Sequence, residues 1–248
     1  MNTYYDELKR FQTKIEFYTK EIFKVYGNEL QLKLEDYNLL SNEKNCIESS
    51  TSTGFIIEEF IVSKLETYTK SHKLPDEYQI LRTDGSTTTS SYDCYSKINS
   101  NIKALINVKI CKGANNAVAA INALYNDYVV TNPEQTKCFM ILKIHYHFEK
   151  SRKDNQRKIF ITKVESYFLE EVDFSYGHKQ DHRNWSQNFN PNSGRLQVTD
   201  KDRRNLVIAE PSYNKTFDFI DSMVNEKKDE TKYKIHHVAL RKGIANYP

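Results

Sequence analysis

Two long segments of the chain repeat apolar residues at the three- and four-residue spacing of an amphipathic helix. The first segment spans residues 2–26, with apolar positions at Leu8, Phe11, Ile15, Tyr18, Ile22 and Tyr26. The second spans about residues 54–70, after a run of Ser and Thr that supplies N-caps, with apolar positions at Ile57, Phe60, Ile61, Leu65 and Tyr68. This spacing puts the apolar side chains on one face, so we expect each helix to pack on a core.

Shorter apolar runs, rich in β-branched and aromatic residues, predict strands. These runs cover residues 77–82, 90–98, 103–111, 137–148 and 158–165. Residues 99–101 form a polar break, so 90–98 and 103–111 are expected to make a hairpin. A helix is predicted over about 114–128. The resulting order of helix, strand, hairpin, helix and strand indicates an α/β fold, with a central mixed β-sheet flanked by helices.

The predicted hairpin carries the candidate chemistry. Side chains alternate between the faces of a strand, so Asn107 and Lys109 share one face. The hairpin can bring Asp93 close to both of them. Carboxylate and amide oxygens are ligands that Mg²⁺ prefers, and a lysine can stabilise charge that develops on a phosphoryl group. The pattern suits metal-assisted phosphodiester hydrolysis, although a strand with a solvent-facing lysine shows the same spacing.

Composition limits the other classes of function. At 248 residues the chain is long enough for one large domain, and its net charge of +3 gives it no general basic character. Any basic surface for nucleic acid must therefore be local. The four cysteines contain no C-x-x-C pair, which argues against a zinc site, and we expect reduced thiols. The polar first residues and the lack of long apolar runs predict a cytoplasmic protein without a membrane span.

The spacing from Asp93 to Asn107-Val108-Lys109 resembles the motif of the PD-(D/E)XK nucleases, which include the type II restriction endonucleases. Two positions depart from that motif. Tyr92 stands where proline is common, and Asn107 stands where a carboxylate is expected. The Asn107 amide oxygen can ligate a metal ion but brings no charge. Residue 107 is therefore either an engineered Asp→Asn change, which traps an uncleaved complex, or a natural variant with weak or lost activity.

The second predicted helix extends the resemblance. Gly54 and Glu58 have the Gly-x-x-x-Glu spacing of a helix that precedes the catalytic hairpin in many of these nucleases. At about 100° per residue, Glu58 lies at the edge of the apolar face, whereas Glu59 is expected to point to water. An ordinary surface glutamate is the alternative interpretation of Glu58. The resemblance implies that Mg²⁺ is held by Asp93, Asn107, Glu58 and the Val108 carbonyl, and that Lys109 assists the attacking water.

An irregular region over residues 173–204 is rich in the side chains that read base edges, and it holds the single Trp. The candidate base contacts are His178, Lys179, His182, Arg183, Asn184, Trp185, Gln187, Asn190, Asn192, Arg195 and Gln197. The candidate phosphate contacts are Lys112 and the charged hairpin tip with Lys150, Arg152 and Lys153. Residues 190–198 and 209–213 resemble the C-terminal part of type II restriction enzymes of AT-rich sites. A solvated tip and an ordinary loop are the alternatives.

Two further features offer rival ligands. Asp84 could ligate the metal, but an Asp before Gly is more often part of a turn. His145 and His147 share a strand face, and a zinc site would need a third ligand that the sequence does not show. We therefore place both histidines on the strand surface or toward the substrate.

The resemblance implies one nuclease domain over 1–248 with a restriction-endonuclease-like core. A helical N-terminal region over 1–50 is a candidate for dimerisation, 54–168 form the catalytic core, and 173–204 form the DNA-recognition region. The predicted function is that of a type II restriction endonuclease, a homodimer that hydrolyses double-stranded DNA at palindromic sites with Mg²⁺, weakened by Asn107. The alternatives are an inactive DNA-binding protein with a nuclease fold and a structure-specific repair or phage nuclease.

Overall fold

The fold is described from a computed structural model of the chain. The residues that it describes are 3–30, 50–83, 90–113, 117–132, 134–150, 157–172, 195–198, 216–218 and 220.

Two long helices lie where the apolar spacing predicts them. Helix α1 spans Thr3–Val25 and helix α2 spans Ser50–Ser71. The apolar positions Leu8, Phe11 and Ile15 of α1 are fully buried, which confirms the predicted packing face. The Ser and Thr run expected to cap α2 is itself part of the helix. A short helix, α3, spans Ile121–Tyr125 and continues into a π-helical turn over Asn126–Val130.

Eight strands are present among the described residues. They are β1 (Glu29–Leu30), β2 (Leu81–Arg82), β3 (Cys94–Lys97), β4 (Ile102–Cys111), β5 (Ala117–Ala120), β6 (Thr136–Lys150), β7 (Arg157–Phe168) and β8 (Arg195–Gln197). Six of them form one sheet in the order β1-β7-β6-β4-β3-β2, and β5 pairs with β8 in a separate ribbon. Only β4 and β6 pair in parallel within the large sheet. The fold is therefore α/β with a mixed sheet, as predicted.

The β3–β4 hairpin has an antiparallel register from Cys94 opposite Ile106 to Lys97 opposite Lys103. The polar break after β3 supplies the turn, where the Asn99 side chain accepts hydrogen bonds from the N–H groups of residues 101 and 102. Side chains along β4 alternate as expected. Ile106, Val108 and Ile110 join a core formed with α1 and α2, and Asn107 and Lys109 face the other way.

The opposite face of the sheet has a core of its own. Leu105, Phe139 and Ile141 pack there against residues from β5, α3 and β8 and against the helical residues Phe217 and Ile220. Asn107 and Lys109 therefore lie beside a second apolar cluster, so the face that carries them is only partly polar. Elements on both faces flank the sheet, which explains why β4 and β6 are buried along most of their length.

Four element predictions were wrong in part. Residues 90–98 were expected to form one strand, but β3 covers only Cys94–Lys97, so Asp93 precedes the strand. Residues 77–82 were expected to be a strand, but a 3-10 turn over Asp76–Tyr78 leaves only a two-residue strand. The Tyr78 N–H closes this turn on the Pro75 carbonyl. The helix expected over 114–128 begins instead as strand β5, because that segment pairs with β8 from a distant part of the chain. Residues 195–197, expected within an irregular region, form β8.

None of the helices in the described part of the chain combines the length and the apolar character that crossing a membrane requires. Three cysteines in this part are buried and free, as expected of reduced thiols: Cys94, Cys111 and Cys138. Cys46 lies outside the described residues.

Candidate active site on the β3–β4 hairpin

Asp93 is fixed against β4 by two hydrogen bonds. Its backbone N–H donates to the Ile106 carbonyl at 2.9 Å. Its carboxylate oxygen Oδ2 accepts from the Val108 N–H at 2.7 Å. These two bonds lie on either side of Asn107 along the chain. The hairpin therefore brings Asp93 to the Asn107-Val108-Lys109 segment, as the spacing predicts.

Opposing effects act on the Asp93 carboxyl. Burial raises its pKa above the ordinary value, and this is the largest effect. The Lys109 ammonium and the Val108 hydrogen bond lower the pKa, and the charge of Glu59 raises it. A half-buried carboxylate held beside a lysine and a second carboxylate is the electrostatic pattern common at catalytic and metal-binding sites.

Asn107 is only 4% exposed, and its amide nitrogen bridges two backbone segments. Nδ2 donates to the Ser91 carbonyl at 2.5 Å and to the Val118 carbonyl at 3.0 Å. The amide oxygen Oδ1 is buried and accepts no hydrogen bond from any residue that the structure describes. Asn107 thus ties the segment before Asp93 and the strand β5 to β4, and it leaves one buried oxygen for another donor or for a cation.

This environment bears on the identity of residue 107. Both N–H donors of the amide are used by carbonyl oxygens, and a carboxylate has no donor to offer in their place. A carboxylate oxygen set against two carbonyl oxygens would also be repelled. The surroundings are therefore better matched to asparagine than to the acid that the nuclease motif carries.

Helix α2 carries two adjacent glutamates, Glu58 and Glu59. Glu58, the residue that the motif spacing indicates, is half-buried. Glu59 was expected to point to water, but its carboxylate pairs with Arg82 at 2.9 Å and its charge acts on Asp93. Sequence reasoning missed the Glu59–Arg82 pair because Arg82 reaches α2 only through the folding of β2 beside β3.

Three groups on or beside the hairpin offer oxygen ligands of the type that a hard divalent cation prefers. Asp93 supplies a carboxylate, Asn107 an unpartnered buried amide oxygen, and Val108 a backbone carbonyl. Residues two apart in a strand direct their backbone groups to the same side, so the carbonyls of Ile106 and Val108 both face β3. All three are oxygens, the ligand type that Mg²⁺ prefers. In the described part of the chain, no group of three or more His, Cys, Asp or Glu side chains is arranged to hold a metal ion.

A second set of charged groups extends from Lys109 across the same sheet face. Lys109 lies opposite Lys143 in the parallel β4–β6 pair, and Lys143 lies opposite Glu165 in the antiparallel β6–β7 pair. Glu165 accepts from Lys163 at 2.6 Å and lies 2.8 Å from His145 Nε2. Only the pairing of three strands creates this row, so sequence spacing did not reveal it.

The two histidines considered for zinc contact different partners and do not face a common metal site. His145 is half-buried against Glu165, whereas His147 is exposed, lies 3.5 Å from Glu149 and stacks on Phe160. This fits the interpretation of both as strand-surface residues.

The predicted DNA contacts fall partly within the structure. Lys112 is exposed, with its ammonium 5.0 Å from the centre of the Phe148 ring. Lys150 ends β6, and Arg195 and Gln197 belong to β8, opposite Ala120 and Ala117. Arg195 and Gln197 are therefore strand residues and not part of an irregular loop. The others lie outside the described residues: Arg152, Lys153, His178, Lys179, His182, Arg183, Asn184, Trp185, Gln187, Asn190 and Asn192, as does the rival ligand Asp84.

No protein-family model matches this chain, and no curated protein sequence matches it.

Proposed function

We propose that this protein is a type II restriction endonuclease of the PD-(D/E)XK kind, which hydrolyses phosphodiester bonds of double-stranded DNA with Mg²⁺. The observation that supports the proposal most is the attachment of Asp93 to β4 through the Val108 N–H, with the Lys109 charge acting on the same carboxylate. The order α2, β2, β3–β4 hairpin, α3 and β6 also agrees with the core expected for such a nuclease.

Each residue of the site has a chemical role in this proposal. Asp93, the Asn107 amide oxygen and the Val108 carbonyl hold the metal, and Glu58 supports the site from α2. Mg²⁺, when bound, polarises the phosphoryl oxygen and lowers the pKa of a bound water. The Lys109 ammonium orients the attacking water and stabilises negative charge on the phosphoryl group. Because Asn107 brings no charge, we expect weak metal binding and slow cleavage.

The substrate in this proposal is a palindromic duplex bound by a homodimer in the cytoplasm. Palindromic sites match the two-fold symmetry of such a dimer. Lys112 and Lys150 contribute phosphate contacts, and the region 173–204 contributes base contacts.

A second candidate function is that of a DNA-binding protein that has a nuclease fold and no catalysis. The bridging role of Asn107 favours it, because both amide donors serve the backbone and the side chain has a structural purpose without any metal. DNA binding that persists unchanged in EDTA, together with a lack of Mg²⁺-dependent cleavage, would support this function.

Cleavage of mixed-sequence plasmid or phage DNA with Mg²⁺ tests the first proposal. We expect the wild-type chain to give discrete fragments slowly, and Asp93→Asn and Lys109→Gln to give none. The matched controls are Glu134→Gln and Lys97→Gln, which make the same chemical changes at exposed positions and should leave cleavage unaltered. If the Asp93 and Lys109 variants cut as fast as their controls, the hairpin is not the active site.

A further inference from the structure

The segment just before Asp93 is held by a carboxylate from a distant element. Asp127 lies in the π-helical turn that follows α3, and its Oδ2 accepts from the Ser91 N–H at 2.6 Å. The Ser90 hydroxyl lies at 3.4 Å from the same oxygen. Ser91 itself is 4% exposed, and its carbonyl accepts the bond from Asn107. Asp127, Ser91 and Asn107 therefore form a continuous chain of hydrogen bonds that ends at the candidate site.

The π-helical turn that carries Asp127 is firmly anchored. The Thr131 N–H closes the turn on the Asn126 carbonyl at 2.8 Å. The next residue, Tyr128, is fully buried, and its hydroxyl donates to Glu170 at 2.5 Å. π-Helical turns are rare, and they occur often at functional sites. A carboxylate on an anchored turn of this kind can fix the position of the backbone that it binds.

We propose that Asp127 is a positioning residue of the candidate site, which holds the Ser90–Tyr92 segment so that Asp93 and Asn107 present their oxygens together. The inference rests on the proposed function, because it assumes a cation at those oxygens. Asp127 acts through Ser91 and does not touch the substrate. A hydrogen bond from an N–H to a carboxylate is stronger than one between neutral groups, so its removal frees the segment to shift.

The effect of such a shift on metal binding sets the size of the expected change. Loss of a group that orients metal ligands typically costs about 10- to 100-fold in metal affinity or activity. We therefore expect Asp127→Ala to weaken Mn²⁺ binding by about 10- to 100-fold. Asp127→Asn keeps an oxygen that accepts from the Ser91 N–H, so we expect its affinity to lie much closer to wild type.

The experiment measures Mn²⁺ affinity from the electron paramagnetic resonance signal of the free ion, on full-length protein whose folding is checked by circular dichroism. Thr69→Ala is the matched control. The Thr69 hydroxyl on α2 is fully buried and accepts from the Ile80 N–H at 3.1 Å. This variant also loses a hydrogen bond from a backbone N–H to a side-chain oxygen, here a neutral one, and should bind Mn²⁺ like wild type.

Three results would overturn the inference. Equal affinity in Asp127→Ala and wild type would show that the segment needs no such support. Equal weakening in Asp127→Asn and Asp127→Ala would show that the charge acts directly and positioning does not. If the wild-type protein does not bind Mn²⁺, the oxygens of Asp93 and Asn107 do not form a cation site and Asp127 has none to position. Cleavage assays of the same preparations test the function separately, so a protein that binds Mn²⁺ through an Asp127-dependent site without cutting DNA would refute only the nuclease proposal.

Discussion

The substitution Asn107→Asp restores the carboxylate of the nuclease motif, yet the structure predicts that it destabilises the protein. The two N–H donors of Asn107 hold the carbonyls of Ser91 and Val118 at a site that is 4% exposed. A carboxylate cannot donate to either carbonyl. It would also place negative charge beside two carbonyl oxygens, and beside the Asp93 carboxylate that already occupies this end of the hairpin.

The expected loss can be worked out from these contacts. Two buried hydrogen bonds contribute about 0.5–1.5 kcal/mol each to stability, so their loss costs about 1–3 kcal/mol. Leaving a buried charge uncompensated raises the total to about 3–5 kcal/mol. For a chain of this size, 1 kcal/mol shifts Tm by about 2–4 °C, so a loss of about 3 kcal/mol lowers Tm by about 6–12 °C.

Thermal unfolding of wild type and Asn107→Asp in EDTA and in Mg²⁺ measures this effect. We expect a large decrease of Tm in EDTA and partial recovery in Mg²⁺, because a bound cation neutralises the new carboxylate. A ligand present at about 100 times its Kd stabilises the folded state by about 2.7 kcal/mol, which is comparable to the predicted loss. Wild type should respond less to Mg²⁺, because its site carries one charge fewer.

Asn101→Asp is the control, because it makes the same change at an exposed position in the hairpin turn. We expect it to change stability by no more than about 0.5 kcal/mol. If Asn107→Asp melts within about 2 °C of wild type in EDTA, less than the shift expected for 1 kcal/mol, the hydrogen bonds of the amide do not stabilise the fold and the reasoning is refuted. If the variant is destabilised and Mg²⁺ does not restore it, the oxygens at residues 93, 107 and 108 do not form a cation site.

Three further predictions follow from buried groups. Burial raises the pKa of Asp93, so the stability that this carboxyl contributes is present below its unfolded pKa and is lost as pH rises through its folded pKa. Asp93→Asn should therefore raise Tm near neutral pH, by a difference that shrinks toward pH 4. An unchanged or lower Tm at pH 7 would contradict this. Burial raises the pKa of Glu170 to about 7, so wild type should lose stability to urea unfolding as pH rises from about 5 to 7. Glu170→Gln should show a flatter dependence of stability on pH. An equal loss in both proteins would assign the pH dependence to other groups. A Cβ at Gly54 would lie 4.0 Å from Ile110 Cβ, which is an ordinary van der Waals contact. Gly54→Ala should therefore stabilise α2 by about 0.5–1 kcal/mol. A lower Tm would show that this glycine is needed for packing.

The sequence predicted those features whose cause is local. The apolar spacing of α1 and α2 gave both helices to within a few residues, because burial of one helical face requires that spacing. The β3–β4 hairpin and the alternation along β4 were predicted for the same reason, since a strand between two cores must place successive side chains on opposite faces. These features bring Asp93 to Lys109, which is the part of the candidate site that sequence spacing can supply.

Tertiary structure decided everything that depends on partners far apart in the chain. Residues 117–120 have a helical apolar pattern, yet they form a strand because β8 and the Asn107 amide bind them there. Asp127 and Glu59 reach the site only when the π-helical turn and the Glu59–Arg82 pair are in place. The residue types at these positions are common on any protein surface, and only the hydrogen bonds made after folding distinguish them. The sequence by itself thus determined the elements and the hairpin, whereas the folded structure determined what Asn107 holds, because the two carbonyls that it binds come from segments that meet only in the assembled sheet.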